Sequence, residues 1–334
     1  MVQLGISAGL SPRESLDRFV KLIQSAEQQG VDACWVIDSQ LAMKDAFVVL
    51  SVLAHQTERI QLGPGVTNMI TRHETVIANL TSTLASIAPG RIALGLGSGD
   101  SSILPLGYRT MRVAECEAGV ERMRSLITGE EVSGPAGSYR LSFVPDIAPP
   151  IFFAGTQRRM LQLTGRVADG AIIMGPSNPD FVSQQLARID EGARDAGRDP
   201  GSVFRDLWVT MSVGQGESPI QDVKSWASAQ ARLLAPSKEL PDSLERFREE
   251  MNRAVETYQF SSHLSLSAPH AEAVSDEFAK VLAIAGTFDE CANRLRGLAD
   301  LGPDRITVTL LTGGREDRLD TLVRLWDECR LHEL

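Results

Sequence analysis

Cysteine is scarce in this chain: four residues, at 34, 116, 291 and 329, among 334, with no CxxC pair and no regular spacing. That pattern argues against a disulfide framework and reads as reduced, packed thiols in a cytoplasmic protein. The HExxH metal motif and the GxxxxGK[ST] phosphate loop are missing, which removes zinc metalloproteases and P-loop nucleotide hydrolases. The five histidines (55, 73, 263, 270 and 332) include no i, i+4 pair, so no metal site is expected. No excess of basic charge exists either: 33 Lys and Arg against 43 Asp and Glu leave a net charge of −10. Nucleic acid and an anionic membrane are therefore not expected as main partners. No apolar run approaches the ~18 residues of a membrane span. The first residues, MVQLGISAGLSPRES, lack the basic start and long apolar stretch of a secretion signal, and the expected location is the cytoplasm.

What is present is an alternation. Eight short apolar runs, at 4–9, 33–38, 60–66, 91–99, 150–155, 170–175, 207–214 and 305–311, suit strands buried on both faces. Between them lie amphipathic stretches. Residues 14–29 put Leu16, Phe19, Val20, Ile23 and Ala26 on one stripe and stop at Gly30. Residues 74–88, 112–128, 179–196 and 287–301 follow the same rule and end at glycine or proline. Eight strands alternating with helices predict a single (β/α)8 TIM barrel over 1–334; an open doubly wound sheet is the alternative. Residues 130–149 read as a small hairpin or loop. The stretch 218–286, between strands 7 and 8, is too long for one crossover helix and reads as a helical and loop insertion that forms a lid or substrate pocket.

In such a barrel the chemistry sits at the C-terminal ends of the strands. Strand 2 ends in Asp38-Ser39, where the carboxylate could orient a ligand, exchange a proton or simply cap a turn. Strand 3 ends in Gly65-Val66-Thr67-Asn68 and strand 4 in Gly97-Ser98-Gly99-Asp100; both allow a flat ligand to lie on the backbone. Strand 5 ends in Gly155-Thr156-Gln157-Arg158 and feeds a helix, a combination suited to a phosphate or to a solvated helix face. His73 follows strand 3, and His263 and His270 lie in the insertion.

These segments resemble the bacterial luciferase-like superfamily. The resemblance rests on AEQQGVDACWVID, TERIQLGPGVTNMITRHE, PGRIALGLGSGDSSILPLG, PPIFFAGTQRRMLQLTGRVADGAIIMGPSNP and the closing GTFDECANRLRGLADLGPDRITV. GPGVTN followed by TRHE is most similar to the methylenetetrahydromethanopterin reductase branch, whose members use coenzyme F420. The resemblance covers about 1–215 and 285–330 and is weak across the insertion. It implies a flavin or deazaflavin ring at the strand ends, with a cis peptide at Gly65–Val66 beside it. It further implies that Asp38, Thr67, Asn68 and Gly97–Asp100 surround the ring and its side chain, and that Gly155, Thr156, Gln157 and Arg158 hold the phosphate.

Several deazaflavin relatives carry histidine after the strand 2 aspartate, whereas this chain has Ser39. Asp38, His73 and His270 are then the candidates for proton transfer. The resemblance implies hydride transfer between reduced coenzyme F420 and a small organic substrate. The alternative is a two-component monooxygenase that takes reduced FMN from a separate flavin reductase and reacts it with oxygen. A homodimer built on the helices after strands 2 and 3 is also expected, with surplus apolar content around 46–54.

Overall fold

A computed structural model describes residues 1–262 and 268–331. In chain order the elements are β1 (Gln3–Ala8), α1 (Leu16–Gln28), β2 (Ala33–Val36), α2 (Ala46–Gln56), β3 (Gln61–Pro64), β4 (Thr67–Asn68), α3 (Glu74–Ile87), β5 (Leu94–Gly97) and α4 (Val113–Thr128). Then come β6 (Val132–Gly134), β7 (Gly137–Tyr139), β8 (Ile151–Gly155), α5 (Arg158–Val167), β9 (Gly170–Met174), α6 (Pro179–Asp195) and β10 (Phe204–Val213). The last part holds α7 (Ser218–Leu234), α8 (Asp242–Glu245), α9 (Arg248–Thr257), α10 (Asp276–Leu282), β11 (Ile284–Gly286), α11 (Phe288–Ala299), β12 (Arg305–Thr309) and α12 (Arg315–Glu328).

Each of the eight apolar runs contains a parallel strand, in the order β3-β2-β1-β12-β10-β9-β8-β5-β4. The third strand changes partner midway. Its first half, β3, pairs with β2, and its second half, β4, pairs with β5. A bridge between Leu62 and Ile92 joins β3 to the approach of β5. The sheet thus returns on itself as a barrel with helices outside. The break falls at Gly65–Val66, whose peptide bond is cis, at the position the resemblance implies.

Residues 130–149 hold the antiparallel pair β6–β7. The stretch between β10 and α11 carries α7 to α10 and one strand that the apolar pattern does not reveal. This is β11, which extends the sheet in parallel beside Met211–Val213 of β10. Three residues are too few to display a period, so the spacing could not distinguish them from a helix end.

Helices α5 and α6 cross closely because glycine faces backbone on both sides: a Cβ at Gly165 would lie 2.0 Å from Ile189 O, and one at Gly192 2.0 Å from Gln162 O. The four cysteines are buried and unpaired by disulfide, and burial pushes the Cys34 and Cys116 thiols up to about 12. No helix of the described residues is long and apolar enough to cross a membrane.

The barrel interior is plugged by a charged pair. Asp206 is wholly buried and accepts from Trp35 Nε1 at 2.8 Å, Thr307 Oγ1 at 2.6 Å and Arg305 Nε at 2.8 Å. Arg305 also donates to Gln61 Oε1 at 2.9 Å, and its guanidinium lies over Phe204, Trp35 and Phe152 at 5.0–5.6 Å. Breaking a buried pair from one side strands the other charge, at a cost of about 3–5 kcal/mol, whereas replacing both members by apolar residues is often neutral. Asp206→Ala is therefore expected to lower the urea midpoint strongly, and Asp206→Leu with Arg305→Met to recover most of the loss. Equal instability in the two variants would place the contribution in packing rather than in charge.

Candidate active site

Parallel strands bring their C-terminal ends to one rim, so residues far apart in sequence meet there. Asp38 follows β2 and is only 6% exposed. Its Oδ2 accepts from Arg72 Nη1, while Arg72 Nη2 donates to Asp45 Oδ2 at 2.8 Å. Asp45 in turn caps α2 by accepting from Phe47 N and Val48 N at 2.9 and 3.1 Å. One guanidinium therefore joins the β2 end, the α2 start and the loop after β4. Burial works against the Arg72 charge, yet Asp38 and Asp45 hold its pKa above the ordinary value. Asp38 Oδ1 is buried and has no hydrogen-bond partner among the described residues.

Ser39 is buried with its Oγ 3.5 Å from Ser101 Oγ, and Gln40 Nε2 donates to Ser102 O at 2.6 Å. Asn68 Nδ2 donates to Ser102 Oγ at 3.0 Å, while its Oδ1 accepts from Ile70 N and Thr71 N. Thr67 is fully buried and accepts from Arg72 Nη1 at 3.4 Å. These bonds tie the loop after β5, which contains Ser98, Gly99 and Asp100, to the ends of β2 and β4. Gly99 adopts φ +89°, a conformation that favours glycine.

Beneath this rim lies an apolar floor of Val66, Ala154, Met174, Trp35 and Trp208. Gly65 rests directly on it: a Cβ there would come within 2.7 Å of both Trp208 and Trp35. A Cβ on Gly97 would meet Val66 Cγ2 at 2.9 Å. The two glycines let backbone, floor and rim approach closely.

The remaining expectations fare differently. His73 is exposed and caps α3, accepting from Thr75 N with its Nδ1 2.9 Å from Thr75 Oγ1; it is not among the rim contacts. Arg158 does not stand free at the end of β8. It opens α5, is half exposed, and is held by Glu191 and Glu239 at 3.2 Å each. Adjacency to the strand end in sequence did not give direction, because the helix turns this side chain toward α6. Arg159 is exposed. Gly155, Thr156 and Gln157 do form the strand-to-helix corner, and no side chain caps the start of α5. His270 is buried in a short turn and stacks on Tyr258. His263 and His332 lie outside the described residues. Nothing in TRHE marks Arg72 as part of the site, because an arginine one residue before a helix cap reads as surface charge. Outside the rim, an open groove of about 660 Å³ is lined by Ile70, Tyr108, Met111 and Arg122 among others.

Comparison with known proteins agrees with this geometry. The chain is 27% identical over 93% of its length, and 96% of the relative's, to a 5,10-methylenetetrahydromethanopterin reductase of Methanolobus tindarius. Among solved structures it superposes on an F420-dependent secondary alcohol dehydrogenase bound to an F420–acetone adduct, with TM-score 0.79, 18% identity and coverage of 98% and 99% of the two chains. It superposes less closely on the EDTA monooxygenase of Chelativorans sp. BNC1, with TM-score 0.69, 14% identity and coverage of 99% and 94%. The luciferase-like monooxygenase profile matches residues 1–305, and the chain belongs to that family.

Proposed function

We propose that the chain is an oxidoreductase that moves a hydride between coenzyme F420 and a small organic substrate. The observation that carries this reading is Asp38 Oδ1, a buried acceptor without a partner at a glycine-lined strand end, in a chain related along nearly its whole length to a reductase. A buried acceptor left unmade is costly, and a ring that presents N–H groups would satisfy it. The donor set fits a deazaflavin. Val66, Met174 and Trp208 give a ring an apolar bed; Asp38, Thr67, Asn68 and Gly97–Asp100 would border the ring and its side chain. Gly155–Gln157 and the uncapped N–H groups of α5 would hold the phosphate.

The deazaflavin, when bound, supplies the two-electron hydride chemistry. The protein's part is to fix the rim. Arg72 holds Asp38 in one orientation, and Ser102 clamps the β5 loop to Asn68. Ser39 leaves no imidazole beside Asp38, so proton movement at that corner falls to Asp38 or to solvent. The alternative reading, reduced FMN and oxygen with a separate reductase as partner, uses the same rim and is separated by experiment. Four buried thiols support a reducing compartment such as the cytoplasm.

A second copy of the chain is the proposed partner of α2 and α3, whose outer faces leave Val48 and Val76 62% and 47% exposed. Light scattering is expected to give twice the chain mass for the wild type, and the single chain mass for Val48→Asp with Val76→Asp. A wild-type monomer at micromolar concentration would end the dimer proposal.

Titration of the purified protein with coenzyme F420, FMN and FAD is expected to show binding of F420 at least about tenfold tighter than of the other two. Tight FMN binding with oxygen uptake by the reduced complex would favour the monooxygenase instead. Asp38→Ala is expected to weaken F420 by about tenfold or more, the worth of a lost hydrogen bond to a charged group. Arg158→Ala should change affinity by less than about threefold, because two carboxylates already neutralise that exposed guanidinium; a tenfold loss would assign Arg158 to the phosphate after all.

A further inference from the structure

The stretch between β10 and β11 carries buried polar groups that the rim does not use. Helix α7 ends against two strand ends. Leu233 O accepts from Gln157 Nε2 at 3.1 Å at the β8 corner, and Arg232 Nη2 pairs with Asp100 Oδ2 in the β5 loop. Arg232 therefore spans the barrel mouth from the insertion side. Its guanidinium carbon lies 4.6 Å from the Tyr258 ring centroid and 5.2 Å from that of Phe260. Tyr258 contacts Phe260 edge-on at 5.0 Å and stacks on His270 at 4.2 Å with 29° between planes.

Two donors in this stack are orphaned. Arg232 Nε and His270 Nε2 are buried and have no hydrogen-bond partner among the described residues. His270 is 1% exposed. Its Nδ1 accepts from Gln259 N at 3.4 Å, which puts the proton of the neutral ring on Nε2. Burial, and then the nearby Arg232 charge, hold the imidazole below its usual range. The ring is thus neutral near pH 7: it offers an N–H to an acceptor but does not release that proton. This differs from the proton-transfer role considered for it on sequence grounds.

We propose, resting on the hydride-transfer reading above, that Arg232 and His270 are substrate-binding residues that hold the acceptor oxygens of an uncharged carbonyl compound. An oxygen acceptor is what two orphaned N–H donors lack. An uncharged one is favoured because Asp100 already matches the Arg232 charge, His270 carries none, and the chain as a whole is at −10. Donors that await charge rather than follow it are suited to a carbonyl under reduction. A hydride arriving at the carbonyl carbon pushes the C=O π pair onto oxygen, and that oxygen takes a proton from water to give the alcohol, while the reduced deazaflavin becomes oxidised. The stack is built from α7, the end of α9 and the turn at Pro269–Ala273, so substrate choice would reside in the part of the chain where the family resemblance is weakest.

The test uses the full-length protein with reduced coenzyme F420 and a panel of acetone, cyclohexanone, hydroxyacetone, benzaldehyde and the charged pyruvate, following the absorbance of oxidised deazaflavin. His270→Phe keeps a stacking ring and removes the donor; Arg232→Lys keeps the charge for Asp100 and moves the donor. Each variant is expected to lower kcat/KM for the best uncharged carbonyl by about tenfold or more, with F420 affinity within about twofold of wild type. Retained F420 affinity also reports that the variants fold. Unchanged kcat/KM in both variants, preference for pyruvate, or no turnover of any carbonyl by an F420-loaded wild type would overturn the assignment. Failure of the wild type to bind F420 would overturn the cofactor reading instead. Saturation-transfer NMR of cyclohexanone without cofactor then decides this inference alone: binding lost in His270→Phe supports it, and binding retained there, or absent from the wild type, overturns it.

Discussion

The buried pair of Asp206 and Arg305 is the constraint on which the barrel depends. Taking an ion pair wholly out of water is costly unless further hydrogen bonds satisfy its polar atoms, and here those bonds join four different strands: Trp35 on β2, Gln61 on β3, Asp206 on β10, and Thr307 beside Arg305 on β12. A shift of one residue in any of these strands would turn its partner to the other face. The pair therefore fixes strand register from inside, as well as filling space. Trp35 carries that order upward: its indole N–H is tied to Asp206, its ring lies 6.0 Å from Trp208, and its Cβ and the Trp208 ring press against Gly65. The floor of the site is thus the top of the plug.

At the rim the same logic runs on the acidic side. Asp38, Asp45 and Asp100 all face the mouth region, and each is met by an arginine from elsewhere, Arg72 for the first two and Arg232 for the third. A cofactor phosphate approaching a chain of net charge −10 is thus offered matched pairs and backbone N–H groups rather than a field of bare carboxylates. Arg72 and Arg232 also differ in kind. The first locks elements that belong to the barrel, whereas the second ties the barrel to the long segment after β10.

The eight strands were legible because a strand buried on both faces must be apolar along its length, and amphipathic helices lie between such runs here. Helix ends were legible for a local reason as well: Gly30, Gly129 and Gly197 all take positive φ just past α1, α4 and α6. Pairing across the barrel was not legible. Arg305 opens the run RITVT and Asp206 lies just before the run at 207–214, so a pattern reading leaves both at strand edges, facing water. Nothing local reveals that the two charges meet. The ion pairs of Arg158 were not legible for the same reason, since Glu239, which helps to occupy it, lies 81 residues away. The resemblance located the cis bond correctly but had nothing to say of Arg232 and Tyr258, which lie where it is weak.

The central claim is that the rim above Trp35 and Trp208 holds a deazaflavin ring. The most direct measurement is the crystal structure of the chain with coenzyme F420 bound. The account predicts the ring against Gly65–Val66, with an N–H of the ring on Asp38 Oδ1 and the phosphate on the backbone of Gly155–Gln157. A ring seated in the outer groove beside Tyr108 and Arg122, or one at the rim that leaves Asp38 Oδ1 without a partner, would contradict it.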